Sequence, residues 1–236
     1  MLSVETLRRT FYADYISPFR RFTEEARRLT HANATVLHAG CGADETIELR
    51  SLARLTIGID LDPWIARNTD IDIAILGNIT ELPIPDQSVD LVIARWVLEH
   101  VEHPHAFMRE CYRVLRPGGR VLILTPNMWH YAPILTRLIP HRVQQWLVKW
   151  LLGLVPEEVF PTYYRANTVG TLRRLAAAAG LRVERIETQE GAPNLLKFSA
   201  LTYGLGIIYE RLTNRFALLA GLRSAILATF VKDTAL

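Results

Sequence analysis

The chain is 236 residues long, half of them hydrophobic, with a formal net charge of +3 and two cysteines. That size suits one α/β domain with a large core and a modest addition, and two cysteines make no disulfide framework, which fits a reducing cytosol. The mild positive balance has no Lys/Arg block interleaved with aromatics, so nucleic acid is not an expected partner; the first ten residues are too polar for a secretory signal, and the apolar charge-free run 198–209 is shorter than the ~18 residues of a spanning helix.

Residues 1–33 read as an N-terminal helical segment, with Phe19, Phe22, Ala26 and Leu29 along one side. The segment either packs on the sheet or lies over a ligand as a lid. A short apolar strand, 34–39, then runs into the glycine-rich turn Gly40-Cys41-Gly42, after which a helix is expected over 44–53. A second strand, 55–60, ends in Asp60. Strands at 72–76, 89–95 and 119–125 alternate with helical stretches, the pattern of a doubly wound, mostly parallel sheet. The helix 104–115 opens on Pro104, lines up Phe107, Cys111, Val114 and Leu115, and stops at Pro117-Gly118-Gly119. Another, about 168–179, is capped by Asn167 or Thr168 and ended by Gly180.

Between them the pattern changes. Residues 127–166 are broken by prolines into short helices and are rich in aromatics, including Trp129, Tyr131, Trp146, Trp150, Tyr163 and Tyr164. Because the segment follows the carboxyl end of a strand, it is expected to overhang the ligand mouth as a substrate-recognition cap, or else to form a satellite core. A strand at 181–189 leads to a helical insert, 195–221, in which Leu201, Leu205, Ile208, Leu212 and Leu219 recur at helical spacing. That stripe is read as core in preference to membrane contact, although Arg211, Arg215 and Arg223 leave peripheral membrane attachment open. The segment 224–231 is the last strand.

The first turn points to a cofactor carrying a nucleoside. Open α/β sheets bind ligands at the carboxyl ends of their strands, glycines let the backbone approach closely, and an acid about twenty residues on commonly holds ribose hydroxyls. Dinucleotide folds use G-x-G-x-x-G, with the third glycine allowing the helix to close on a pyrophosphate. Here Glu45 occupies that position behind Asp44. Two carboxylates repel pyrophosphate and tolerate an ammonium or sulfonium, which favours S-adenosylmethionine.

Four stretches carry a family resemblance. They are His38-Ala39-Gly40-Cys41-Gly42; Gly58-Ile59-Asp60; Leu82-Pro83-Ile84-Pro85-Asp86-Gln87-Ser88-Val89-Asp90; and Trp96-Val97-Leu98-Glu99-His100 leading to Arg113-Val114-Leu115-Arg116-Pro117-Gly118-Gly119. Their order and spacing resemble the class I S-adenosylmethionine-dependent methyltransferases, in the branch of small-molecule and quinone-biosynthesis enzymes, closely over 34–126. The resemblance implies a Rossmann-like seven-stranded sheet with an antiparallel last strand. It implies that the backbone from His38 and Ala39 through Gly40, Cys41 and Gly42 borders the methionine half, and that Asp60, with Leu61 beside it, holds the ribose. Asn78, next to Ile79, stands where the family has an acid facing the adenine amine, and Arg95 or Trp96 would meet the middle of the cofactor. Two departures are His38, where the family often has an acid, and Asp44, where it has a third glycine.

The expected activity is methyl transfer to oxygen, nitrogen or carbon of a small metabolite or of a lipid-linked or saccharide acceptor. A general base is needed only if the acceptor loses a proton; His130, just past the fifth strand, and His100 are the candidates. His100, His103 and His105 do not make a metal shell, since Pro104 interrupts them and no cysteine or carboxylate pair completes the set. Tyr163 and Tyr164 are candidates for an aromatic acceptor pocket. The rival readings are a nicotinamide-dependent oxidoreductase and a non-catalytic cofactor-binding module on the same architecture. The expected setting is cytoplasmic, with oligomeric state open.

Overall fold

The computed structural model describes residues 3–43, 47–138 and 161–234. Seven strands form one sheet in the order β3-β2-β1-β4-β5-β7-β6. They are β1 (Thr35–Ala39), β2 (Leu55–Asp60), β3 (Ile73–Leu76), β4 (Val89–Arg95), β5 (Leu115–Pro126), β6 (Arg182–Gln189) and β7 (Ala225–Val231). β1 to β5 run parallel, while β7 is antiparallel to both β5 and β6. β6 therefore points the same way as β1, and its carboxyl end shares a rim with theirs.

The central strands are apolar at nearly every position because both faces are covered, as a parallel sheet requires. On one face Leu37, Val92, Val121 and Ile123 meet Phe107, Met108 and Cys111 of α3 (Pro104–Val114) and Leu172 and Leu175 of α5 (Val169–Ala178). On the other, Val36, Leu91, Ile93, Leu122 and Leu124 meet Phe22 and Ala26 of α2 (Pro18–Leu29). Each fully buried large side chain contributes roughly 1.5–3 kcal/mol. The N-terminal segment is two helices, α1 (Val4–Tyr12) and α2, each capped by a serine side chain, at Ser3 and Ser17. α2 packs on the sheet face, and its Phe19 reaches the rim.

Two expectations are corrected. Over its described part the helix expected at 44–53 does not form: 44–46 lie outside the described residues, and 47–54 hold irregular backbone, turns and bends with Glu48 at φ 60°. The cause lies twenty residues on. The Asp70 carboxylate accepts the backbone N–H groups of Ile47 at 2.9 Å and Glu48 at 2.8 Å, giving this stretch partners other than a helical ladder. The second correction concerns the insert, which contains α6 (Ala200–Arg215) flanked by short 3-10 turns. The stripe Leu201, Leu205, Ile208 and Leu212, read as core, is exposed, and the opposite side with Tyr203, Gly206, Ile207, Glu210 and Thr213 is buried. Glu210 can be buried because Tyr12 Oη at 3.3 Å and Asn214 Nδ2 at 2.7 Å donate to it, and Gly206 lets Pro193 pack against the helix backbone.

Of the cap, α4 (Tyr131–Leu138) and the return from residue 161 are described; the expected recognition helices between them, with Trp146 and Trp150, lie outside the described residues.

Candidate cofactor site

A cavity of about 520 Å³ opens at the carboxyl ends of β1, β2, β3 and β4. Its floor is the turn after β1. Gly40 and Gly42 have φ of 66° and 62°, and a Cβ on Gly40 would collide with the Val97 side chain. Only glycine fits there. The turn is tied to its neighbour: Gly40 N–H donates to Ile59 O at 2.8 Å, and Gly42 N–H to Asp60 Oδ2 at 2.8 Å. The other Asp60 oxygen accepts Asp62 N–H at 2.9 Å. A carboxylate has about four acceptor positions, so Asp60 fixes the turn and keeps capacity toward the cavity it lines.

Leu61 and Ile79 give the cavity apolar wall beside Asp60. Asn78 lines it too, its Oδ1 accepting Thr80 N–H at 3.0 Å, which fixes the amide plane. Arg95, at the end of β4, is buried in the wall with its guanidinium 4.3 Å from the Phe19 ring. Burial lowers its pKa to about 10, so it stays a cation at neutral pH. Trp96 follows at φ 53°, its N–H held by Leu124 O at 2.8 Å. Cys41 also lines the cavity; burial, then the Asp60 charge, pushes its thiol up to about 12. His38 and Ala39 lie behind this lining, within β1. Burial, then Arg95, lowers His38 to about 3, so this departure from the family's acid adds no positive charge.

The far wall is a strap. Residues 161–165 lie across the loop after β4. The backbone oxygen of Glu99 accepts N–H groups of Tyr163 at 2.7 Å and Tyr164 at 3.2 Å. Arg165 donates to Glu102 O at 2.8 Å, and His100 Nδ1 lies 2.8 Å from Pro161 O. A carbonyl only accepts, so Nδ1 of His100 carries a proton in that contact. His100 and Tyr163 line the cavity. Beneath them Glu99 is 7% exposed, and burial raises its carboxyl to about 7. Its Oε2 is 3.5 Å from the Thr125 hydroxyl, to which Asn167 Nδ2 donates at 2.6 Å.

Of the residues singled out in the sequence, Gly40, Cys41, Gly42, Asp60, Leu61, Asn78, Ile79, Arg95, Trp96 and His100 meet in one cavity. His130 does not. It is 5% exposed, with Nε2 3.4 Å from Glu190 Oε1 and its ring 4.0 Å from that of Tyr131, away from the cavity lining. Val97, Val101, Glu102 and His103 line the cavity and were not assigned to it from the sequence. Their signal was position alone, just past the end of β4.

The fold is a Rossmann-like sheet with a crevice at its carboxyl rim, built around a glycine turn and an acid. Residues 37–123 match the family model described as "Methyltransferase domain". The chain is 43% identical over 123 residues, 49% of its length, to a protein of Mycolicibacterium smegmatis named "Probable S-adenosylmethionine-dependent methyltransferase", and covers 48% of that relative. It is 27% identical over 202 residues to the ubiquinone biosynthesis O-methyltransferase of Pseudomonas savastanoi, covering 80% of this chain and 82% of that one. The solved S-adenosylmethionine-dependent methyltransferase from Mesorhizobium loti shares the fold, with a TM-score of 0.59, 18% identity, and coverage of 91% and 98% of the two chains. The chain thus spans about half the length of the M. smegmatis relative. Over residues 37–123 the chain matches a methyltransferase domain, and its fold is the one found in the solved methyltransferase.

Proposed function

We propose that this protein transfers a methyl group from S-adenosylmethionine to a small metabolite or to a lipid-linked or saccharide acceptor. The observation that carries the reading is the Asp60 carboxylate, which clasps the Gly42 backbone and lines the same cavity. The donor set fits the cofactor. Asp60 would accept ribose hydroxyls, and Leu61, Ile79 and Asn78 would hold the adenine. The Gly40–Gly42 backbone would border the methionine half, with Arg95 and Trp96 lining the wall beside it. Bound there, S-adenosylmethionine supplies an electrophilic methyl carbon on a sulfonium.

The remaining work is positioning and proton handling. Methyl transfer is a direct displacement that needs the acceptor atom aligned and water excluded. Tyr163 on the strap and the loop after β4 enclose the side from which an acceptor approaches. His100, oriented by its Nδ1 contact with Pro161 O, lines the cavity and is the side chain assigned to take a proton from a hydroxyl acceptor. Cys41, though near the donor, is kept as an unreactive thiol by its raised pKa. The quinone O-methyltransferase relative supports a small-molecule acceptor.

Calorimetry with S-adenosylhomocysteine tests the reading. Binding is expected, and Asp60→Ala should weaken it by about 1–3 kcal/mol, roughly 5- to 150-fold. No heat at millimolar ligand rejects the cofactor; unchanged affinity in the variant removes Asp60 from the site.

A further inference from the structure

The outer side of α6 is the largest anomaly outside the crevice. Leu201, Leu205, Ile208 and Leu212 fall at helical spacing and are 74%, 58%, 56% and 46% exposed. The ridge is prolonged by Phe198 before the helix and Leu218 after it, 64% and 99% exposed. Apolar residues this contiguous on a surface mark an interaction site. No helix among the described residues is long and apolar enough to cross a membrane, so the ridge is not part of a span.

The charges around the ridge identify what covers it. The single acid of α6, Glu210, is turned inward to Tyr12 and Asn214, with Arg211 Nε 3.3 Å from its Oε2. Lys197, Arg211 and Arg215 lie exposed along the same stretch. Lys197 and Arg215 have no carboxylate partner among the described residues. A second copy packed about a two-fold axis would bring this cationic border against itself, which disfavours self-pairing. An anionic surface satisfies both features at once.

We propose that α6 docks the protein on an anionic lipid bilayer, its apolar ridge entering the headgroup–acyl boundary and Lys197 and Arg215 meeting lipid phosphates. α6 connects the carboxyl end of β6 to the start of β7, so it stands on the rim that bears the cofactor crevice. Docking presents that rim to the membrane, where a lipid-linked acceptor resides. The purpose rests on the proposed methyl transfer; the docking itself does not.

The test is co-sedimentation of the full chain, without cofactor, with vesicles of phosphatidylglycerol and phosphatidylcholine. The protein is expected to partition onto mixed vesicles and about tenfold less onto pure phosphatidylcholine or at high salt. Leu205→Glu with Ile208→Glu should reduce partitioning about tenfold or more, with unchanged melting temperature and unchanged S-adenosylhomocysteine affinity. Arg215→Glu should cost about fivefold. Parent protein remaining in the supernatant at low salt overturns the proposal, as does a double variant that sediments like the parent. A concentration-dependent dimer abolished by the double variant assigns the ridge to a second copy instead. A large drop in its melting temperature assigns the ridge to the chain's own residues. Failure to bind S-adenosylhomocysteine overturns the cofactor reading and leaves the vesicle result standing.

Discussion

One rim of the sheet carries two regions built on opposite principles. Over β1 to β4, the crevice is made of backbone, carboxylate and glycine, each tied to the next by short hydrogen bonds: Gly40 to Ile59, Gly42 to Asp60, Tyr163 to Glu99. Over β6 and β7, the insert turns leucines outward and its one acid inward. The first region is preorganised for a small polar ligand, since its donors and acceptors are fixed before anything binds. The second gains nothing from being rigid and everything from apolar area. The cofactor crevice and the face proposed to meet a membrane thus sit side by side on different physics.

The comparison can be broken at the crevice most sharply through Gly40. Gly40→Val places a side chain at φ 66° and against Val97. We expect a stability loss of about 3 kcal/mol and no detectable S-adenosylhomocysteine binding. A variant that melts and binds like the parent would show the turn to be adaptable. His100→Gln comes next. If the acceptor is a hydroxyl, turnover should fall by about 10²–10⁴-fold with cofactor affinity within about twofold of the parent. Equal turnover would mean that the acceptor needs no base, or that His100 does not supply one.

The smaller expected effect is a pH signature of Glu99. Its carboxyl is raised by burial from the usual 4.5 to about 7. Between those values the folded protein holds a proton that the unfolded chain has lost, so this contribution falls as pH rises, by about 3 kcal/mol at most. His38 acts in the opposite sense: lowered by burial to about 3, it stays neutral where the unfolded chain protonates, so its contribution rises with pH up to about 6.5. From pH 4.5 to 6.5 the two slopes oppose each other. Glu99→Gln should unmask the His38 slope, raising the melting temperature at pH 8 and little at pH 5. Parallel melting profiles of parent and variant would mean that Glu99 is not held protonated.

The parts legible in the sequence were those whose cause is local. β2 and β4 end where apolar runs meet Asp60 and Arg95, and the cap at Thr168 and the stop at Gly180 stand at the ends of α5 as read. The turn at Gly40 and the acid at Asp60 were found because each is adjacent to a strand end. What was misread depends on distant partners. Residues 47–54 look helical until Asp70 takes their N–H groups. On α6, spacing picked out the leucine stripe and took it for core, because Glu210 on the other side becomes buriable only through Tyr12 of a helix nearly two hundred residues earlier. His130 follows β5 as expected, but Glu190, at the end of β6, draws it away from the crevice.

Met128 N–H donates to Asn167 O at 2.9 Å, so the cap begins and ends on hydrogen-bonded neighbours. Asn127 holds the insert through Gly221 O and Arg223 O, and Asn167 reaches Thr125. The two described ends of the excursion are therefore clamped to each other beside β5. Sequence between the clamps can drift, lengthen or be exchanged while the strand ends beneath stay in register. Under the proposed methyl transfer, such a scaffold could change its acceptor without rebuilding the part that holds the donor.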